Sequence, residues 1–184
     1  MPAIKKSRGR PQDRLILQLS KDLAVYTTGS TWSSEHGTSI MYTDDISQLL
    51  ALVLNMKVKK SIDRDGLLQI TASVSATKKE IAYKASGLRV ANPAVTGPKT
   101  KGRPQDVVVL AFTDGYSVTT SESESSWMTK LNGNSCYYSS LVELLPRLFE
   151  KKLMQAVQGP DVDALLRDVG AVKNDILSAL SGLK

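Results

Sequence analysis

The sequence is poor in the side chains that build reactive or metal-bound centres: one cysteine, Cys136, and one histidine, His36, in 184 residues. A lone cysteine excludes an internal disulfide and points to a reducing, intracellular compartment, with cytoplasm, nucleus and organelle not distinguished. One His and one Cys, far apart in the chain, do not make a zinc site without several carboxylates. No apolar run approaches the ~20 residues of a membrane-spanning helix. The basic N-terminus has no apolar stretch behind it, so a secretory signal is not expected. The Gly-rich loop ending in Lys-Ser/Thr, the Gly-x-Gly-x-x-Gly turn and the Gly-x-Ser-x-Gly elbow are all missing. Asp44-Asp45 stands where a helix N-terminus favours carboxylates, and Asp63-Arg64-Asp65-Gly66 lacks the further ligands of a calcium loop and reads as a turn. The chain is therefore read as non-enzymatic, with no catalytic residue, metal or cofactor.

What is present is positive charge, unevenly spread. The formal net charge is +6. Residues 57–103 hold eleven basic and three acidic side chains; residues 1–56 hold six and five, and residues 104–184 hold seven and ten. A concentrated basic region suits a polyanion, nucleic acid first and an acidic membrane surface second, against the plainer reading of a solvated basic face.

A short motif occurs twice. Gly9-Arg10-Pro11-Gln12-Asp13 returns as Gly102-Arg103-Pro104-Gln105-Asp106, 93 residues later. Leu17, Leu19, Val25 and Thr27 fall on Leu110, Phe112, Val118 and Thr120 at that offset; Trp32 then meets Trp127, and Gly37 meets Gly133, after a slip of two or three residues. This reads as two copies of one supersecondary unit. In the first, Arg14–Ser20 alternates as a strand with Leu15, Leu17 and Leu19 on one side, Lys21-Asp22 turns, and Leu23–Thr28 returns. Gly29–Gly37 reads as a polar loop holding Trp32, Thr38–Tyr42 as a short third strand. Thr43 or Asp44 then caps a helix carrying Ile46, Leu49, Leu50, Val53 and Leu54. In the second, Val107–Thr113 places Val108, Leu110 and Phe112 on one face, Asp114-Gly115 makes a hairpin and Tyr116–Ser121 returns. A Ser/Glu-rich loop reaches Trp127, Asn132-Gly133 turns, and Ser135–Tyr138 is a strand. Ser139 or Ser140 caps a helix with Leu141, Leu144, Leu145, Leu148 and Phe149, which Pro146 is expected to kink or restart.

Residues 1–13 form a basic flexible arm. Its Arg8-Gly9-Arg10-Pro11 resembles the AT-hook, which lies in narrow A·T minor grooves, against a basic linker as the alternative. Residues 14–158 form the duplicated domain: repeat one 14–56, connecting strands and a basic loop 57–105, repeat two 106–158. The connecting strands rest on alternation of Leu68, Ile70, Ala72 and Val74, with a turn at Lys78-Lys79. Residues 159–184 carry Val162, Leu165, Val169, Val172, Ile176, Ala179 and Leu183 in a heptad seam, read equally as a helix packed on its own domain or as an oligomerisation element. The fold class is α+β: two repeated units of antiparallel strands followed by a helix, plus a C-terminal heptad helix.

Thr38-Ser39-Ile40-Met41-Tyr42 leading into Asp45-Ile46-Ser47-Gln48-Leu49 is similar to the strand-to-helix joint of the Whirly, PUR-repeat and positive-cofactor-type transcription regulators. Glu143-Leu144-Leu145-Pro146-Arg147-Leu148 is similar to the Pro-containing last helix of Whirly proteins. The resemblance implies curved antiparallel sheets that hold single-stranded nucleic acid. The residues themselves point to the same partner, since single strands are gripped by basic grooves and stacked aromatics. The aromatics on or near predicted strands are Tyr26, Tyr83, Tyr116, Trp32 and Trp127. The nucleic-acid-binding candidates are Arg8, Arg10, Trp32, Lys57, Lys59, Lys60, Arg64, Lys78, Lys79, Tyr83, Lys84, Arg89, Lys99, Lys101, Arg103 and Trp127. The expectation is a homo-oligomeric protein that binds single-stranded DNA or RNA with little sequence specificity. The alternative is a self-assembling structural protein of viral matrix or capsid-associated type that meets an acidic membrane surface.

Overall fold

The structure is a computed structural model that describes residues 13–20, 23–56, 63–88, 107–121, 126–131, 133–157, 159 and 161–183. Twelve elements follow one another: β1 (Arg14–Ser20), β2 (Leu23–Thr27), β3 (Trp32–His36), β4 (Ser39–Thr43), α1 (Ile46–Asn55), α2 (Arg64–Ser86), β5 (Val107–Ala111), β6 (Ser117–Thr120), β7 (Trp127–Leu131), β8 (Asn134–Tyr138), α3 (Leu141–Ala156) and α4 (Val162–Ser181). The chain is α+β, with two four-stranded antiparallel sheets in the orders β1-β2-β3-β4 and β5-β6-β7-β8. Four strands followed by a helix thus occur twice. Residues 1–75 with 150–170 form one compact unit, and residues 76–149 with 171–184 form the other.

The two sheets match in detail. In the first, Arg14, Leu15 and Leu17 pair with Thr27, Tyr26 and Val25, with a bulge between Leu15 and Leu17. In the second, Val107, Val108 and Leu110 pair with Thr120, Thr119 and Val118, with a bulge at the same place. The extra residue reverses the alternation expected of each strand. Leu15 is only half-buried while Ile16 and Leu17 are buried, and Val108 is exposed while Leu110 is buried. The loops match too. Thr27 Oγ1 donates to the Thr31 carbonyl and Thr120 Oγ1 to the Ser126 carbonyl, each at 3.0 Å, one residue before each tryptophan. Gly37 and Gly133 turn the β3–β4 and β7–β8 hairpins with φ of 60° and 82°, a conformation that costs glycine nothing.

Trp32–His36 and Trp127–Leu131 are strands, not the loops expected from their polar residues. Each lies between two hydrogen-bonded neighbours, so ladder pairing on both edges outweighs weak strand propensity. The connecting strands are corrected as well. Residues 64–86 form one helix, whose buried residues Leu67, Ile70, Val74, Thr77, Ile81 and Ala85 step by three and four. Asp63 opens it, its side chain accepting from the Gly66 amide at 2.9 Å. Leu68, Ile70, Ala72 and Val74 happen to alternate, but Leu68 is 54% exposed and Leu67 fully buried, the reverse of what a strand requires.

The helices after the sheets begin alike. Asp45, not Thr43 or Asp44, caps α1, accepting from the Ser47 and Gln48 amides at 2.8 and 3.3 Å. Ser140 caps α3, accepting from the Glu143 amide at 3.2 Å. Ile46, Leu49, Leu50 and Val53 are buried, as are Leu141, Leu144, Leu145 and Leu148. α3 runs as one helix through Pro146 rather than restarting there. The seam of α4 is satisfied within the chain: Leu165, Val169, Val172 and Ile176 are buried.

Two tests follow from this packing. In urea unfolding, Leu67→Ala should cost about 2–5 kcal/mol and Leu68→Ala less than about 1; equal costs would contradict the helix over 64–86. At α3, the Ser139 hydroxyl and amide both donate to Glu143 Oε2, at 2.7 and 3.2 Å, and hold its carboxyl below its ordinary pKa. A lowered carboxyl pKa stabilises the fold above the unfolded value, and that contribution fades as pH falls through the folded value. An NMR titration should place Glu143 below the usual carboxylate range and move it upward in Ser139→Ala.

Candidate nucleic-acid interface

Directly paired residues of neighbouring strands share a face, so register assigns each side chain to one side of its sheet. In the first sheet one row is Arg14, Thr27, Trp32 and Thr43. This side is closed by helices. Trp32 Nε1 donates to Glu150 Oε2 of α3 at 3.0 Å, Arg14 donates to the Met154 carbonyl at 2.6 Å, and α1 packs on β3 and β4. The matching row of the second sheet is Val107, Thr120, Trp127 and Tyr138.

The two tryptophans are consequently unavailable to a ligand, contrary to the expectation that they stack on bases. Trp32 is fully buried, and Trp127 is 6% exposed. Both stand at the start of a central strand rather than in a loop. Tyr116 is buried as well.

The opposite side carries the exposed Tyr42 and Tyr137 on its edge strands, while its central residues Ser33, Thr119 and Met128 are buried. Its first-sheet row is Leu15, Tyr26, Ser33 and Tyr42; the second-sheet row is Val108, Thr119, Met128 and Tyr137. Tyr42 and Tyr137 hold the same register position in β4 and β8 and are 57% and 72% exposed. Sequence reasoning passed over both, although their signal was present: each lies on a short strand, three residues before the capping residue of the following helix. Ile40 and Ser135 lie on this side, both exposed, and Glu35 and Lys130 hold the same register position of β3 and β7. Burial first, and then the carboxylates of Glu35 and Asp13, raise the Tyr26 phenol's pKa above its ordinary value.

On α2, within residues 76–86, Lys79, Tyr83 and Lys84 are exposed and Lys78 half-buried, with Tyr83 at 77%. Lys79 and Tyr83 are one helical turn apart on one face. Glu80 is ion-paired with Lys173 of α4 at 2.6 Å. Arg64 is exposed in the first turn of α2, beside Asp63 and Asp65. Arg8, Arg10, Lys57, Lys59, Lys60, Arg89, Lys99, Lys101 and Arg103 lie outside the described residues, as does the Arg-Gly-Arg-Pro stretch.

The first unit also holds a pocket of about 640 Å³ lined by Asp63, Asp65, Asp161 and Asp163 together with Leu17, Gln18 and Gln69. Asp63 and Asp161 cap α2 and α4 there, and four carboxylates make it unsuited to phosphate. Among the described residues no group of three or more His, Cys, Asp or Glu is arranged to hold a metal ion. Nor is any helix among them long and apolar enough to cross a membrane.

Comparison with protein-family models, with curated proteins and with solved structures returns no match to this chain.

The tryptophans carry a direct test. Glu150→Ala leaves the Trp32 indole and the first amide of α1 without their acceptor and should cost about 2–3 kcal/mol in chemical denaturation. Tryptophan emission should be blue-shifted and poorly quenched by acrylamide. A red-shifted, readily quenched emission would place the indoles in solvent and restore them as ligand contacts.

Proposed function

We propose that this is a non-enzymatic nucleic-acid-binding protein made of two copies of one four-strand-and-helix unit, akin in architecture to the Whirly, PUR-repeat and positive-cofactor-type regulators. It binds single-stranded DNA or RNA with little sequence preference. The observation that carries the reading is the pair of exposed tyrosines, Tyr42 and Tyr137, at one register position on the outer faces of the two sheets. Each tyrosine is more than half exposed and gains little from burial, yet it presents a flat surface on which any base can stack. Lys79, Tyr83 and Lys84 on α2 repeat the combination of aromatic and cation. The basic residues of 57–103 supply phosphate contacts, which are blind to base identity.

A self-assembling structural protein is the second reading, and the homo-oligomer belongs to both readings. With Leu165, Val169, Val172 and Ile176 of α4 buried, self-association draws on the sheet edges β1, β4, β5 and β8, which among the described residues pair with a strand on one side only. An unpaired edge is a template for another chain.

Fluorescence anisotropy with a labelled single strand of ~30 nucleotides and the matching duplex, across a salt series, separates the readings. The nucleic-acid reading expects single-strand affinity that falls linearly on a log–log salt plot, with a slope of about −0.7 per phosphate contacted. No binding to either probe at low salt, with concentration-dependent growth in sedimentation velocity, would leave assembly as the function.

A further inference from the structure

The strands hold exposed tyrosines but no uncommitted cation to accompany them. Across β1–β4 the one lysine or arginine is Arg14, and its guanidinium donates to the Met154 and Gln155 carbonyls. Across β5–β8 it is Lys130, which is half-buried and already engaged in an interaction. Tyr42 and Tyr137 thus offer a ring for stacking, and their strands offer nothing to hold a phosphate.

The second-unit part of α2 is different. Its residues 76–86 bury Thr77, Ile81 and Ala85 on one side, while Tyr83 stands on the other and is 77% exposed. At about 100° per residue, Tyr83 lies between Lys79 and Lys84 around the helix, and both lysines are exposed. Among the described residues neither ammonium group has a hydrogen bond or ion pair. The usual calls on such lysines are met by other groups. Glu80, the acid on this stretch, is ion-paired with Lys173 at 2.6 Å. The carbonyls of Tyr83, Lys84 and Ala85 accept from the Ser86 hydroxyl and the Gly87 and Leu88 amides, at 2.7, 3.3 and 3.2 Å, so Lys84 is not needed to cap the helix. The sequence continues the bias: from Ile81 to Gln105 it holds five basic residues and no acid.

We infer that Lys79, Tyr83 and Lys84 of α2 form the anchoring site for the single strand, with a base stacked on Tyr83 and the two ammonium groups on the flanking phosphates. The inference rests on the nucleic-acid reading above and names the place where stack and charge coincide. Residues four apart on a helix have Cβ atoms about 5–6 Å apart, so Lys79 reaches the backbone of a nucleotide whose base covers the ring. Lys84 reaches it from the opposite flank. Both act well within a Debye length of the phosphates. Tyr42 and Tyr137 are then secondary contacts.

The probe is a fluorescein-labelled oligothymidine of ~30 nucleotides, titrated with the full chain across a salt series. Tyr83→Ala should weaken binding about tenfold, and Tyr83→Phe, which keeps the ring, should recover most of that loss. Lys79→Gln combined with Lys84→Gln should make the log–log salt slope shallower by about 1.4, at about 0.7 for each phosphate contact. Tyr42→Ala combined with Tyr137→Ala should cost less than Tyr83→Ala alone. All five sites are exposed and alanine favours a helix at 83, so thermal melts should match the wild type. With wild-type binding intact, four results each overturn the inference: no loss in Tyr83→Ala, no recovery in Tyr83→Phe, an unchanged slope in the lysine pair, or a larger loss in the sheet pair. A wild-type chain that does not bind overturns the nucleic-acid reading, and this inference with it.

Discussion

The buried carboxylate of Glu150 fixes which aromatic side chains of the first unit can meet a ligand. It is 2% exposed and accepts from the Trp32 indole at 3.0 Å and from the Ile46 amide at 3.4 Å. Burying a carboxylate is costly unless it is hydrogen-bonded, and here a side-chain donor and the first turn of a helix, with its partial positive charge, meet the same oxygen. The contact ties three elements together: β3 through Trp32, α1 through its first amide, and α3 through Glu150 itself. It also fixes the orientation of the first sheet. With Trp32 turned toward the helices, the alternation of the strands sends Tyr26 and Tyr42 to the other side. The position of Glu150 in α3 corresponds to Asn55, the exposed last residue of α1, so α1 carries no matching carboxylate there.

Much of the sheet architecture was legible because hairpins announce themselves. Asp114-Gly115 and Asn132-Gly133 are turn dipeptides, and β1, β2, β4, α1, β5, β6, β8 and α3 arise close to where alternation and capping residues suggest them. The central strands β3 and β7 were not legible, since Trp-Ser-Ser-Glu-His has no β-branched residue and Trp-Met-Thr-Lys-Leu has only Thr129. Their conformation is imposed by neighbours on both sides, a non-local cause that no window of sequence contains. The helix over 64–86 failed for a different reason. Serines and threonines are spread along it, and four apolar residues fall by chance at a spacing of two, which masks the true stripe from Leu67 to Ala85. The bulges in β1 and β5 were invisible as well. One inserted residue exchanges the two faces, so Val108 lies outside although its alternation with Leu110 and Phe112 placed all three together.

Of the aromatics expected to meet a ligand, the fold buries both tryptophans and exposes Tyr83. The tryptophans drew attention through size and position, but size is also why the fold consumes them: a large indole contributes most when fully buried, and its one polar atom found a buried acceptor. Tyrosine has a polar tip that tolerates water, and the short edge strands β4 and β8 leave it there. Tyr83 and its lysines emerged as expected exposed groups, though on a helix rather than a strand.

Stacking and charge do different work on such a surface, and their magnitudes say which must be where. A stacked base is worth roughly 1–3 kcal/mol, so two tyrosines cannot by themselves hold a flexible strand that loses conformational freedom on binding. Cations have to supply the remainder, and a surface cation is effective only within about a Debye length, roughly 8–10 Å at moderate salt. Lys79 and Lys84 stand within one helical turn of Tyr83 on α2 and meet that condition locally. Asp63 and Asp161 cap α2 and α4, and Asp65 and Asp163 lie in their first turns, where carboxylates favour the helix start and disfavour phosphate. Under the nucleic-acid reading proposed above, the exposed Lys79, Tyr83 and Lys84 combine both contributions, because the cations stand within reach of the backbone of any base stacked on the ring.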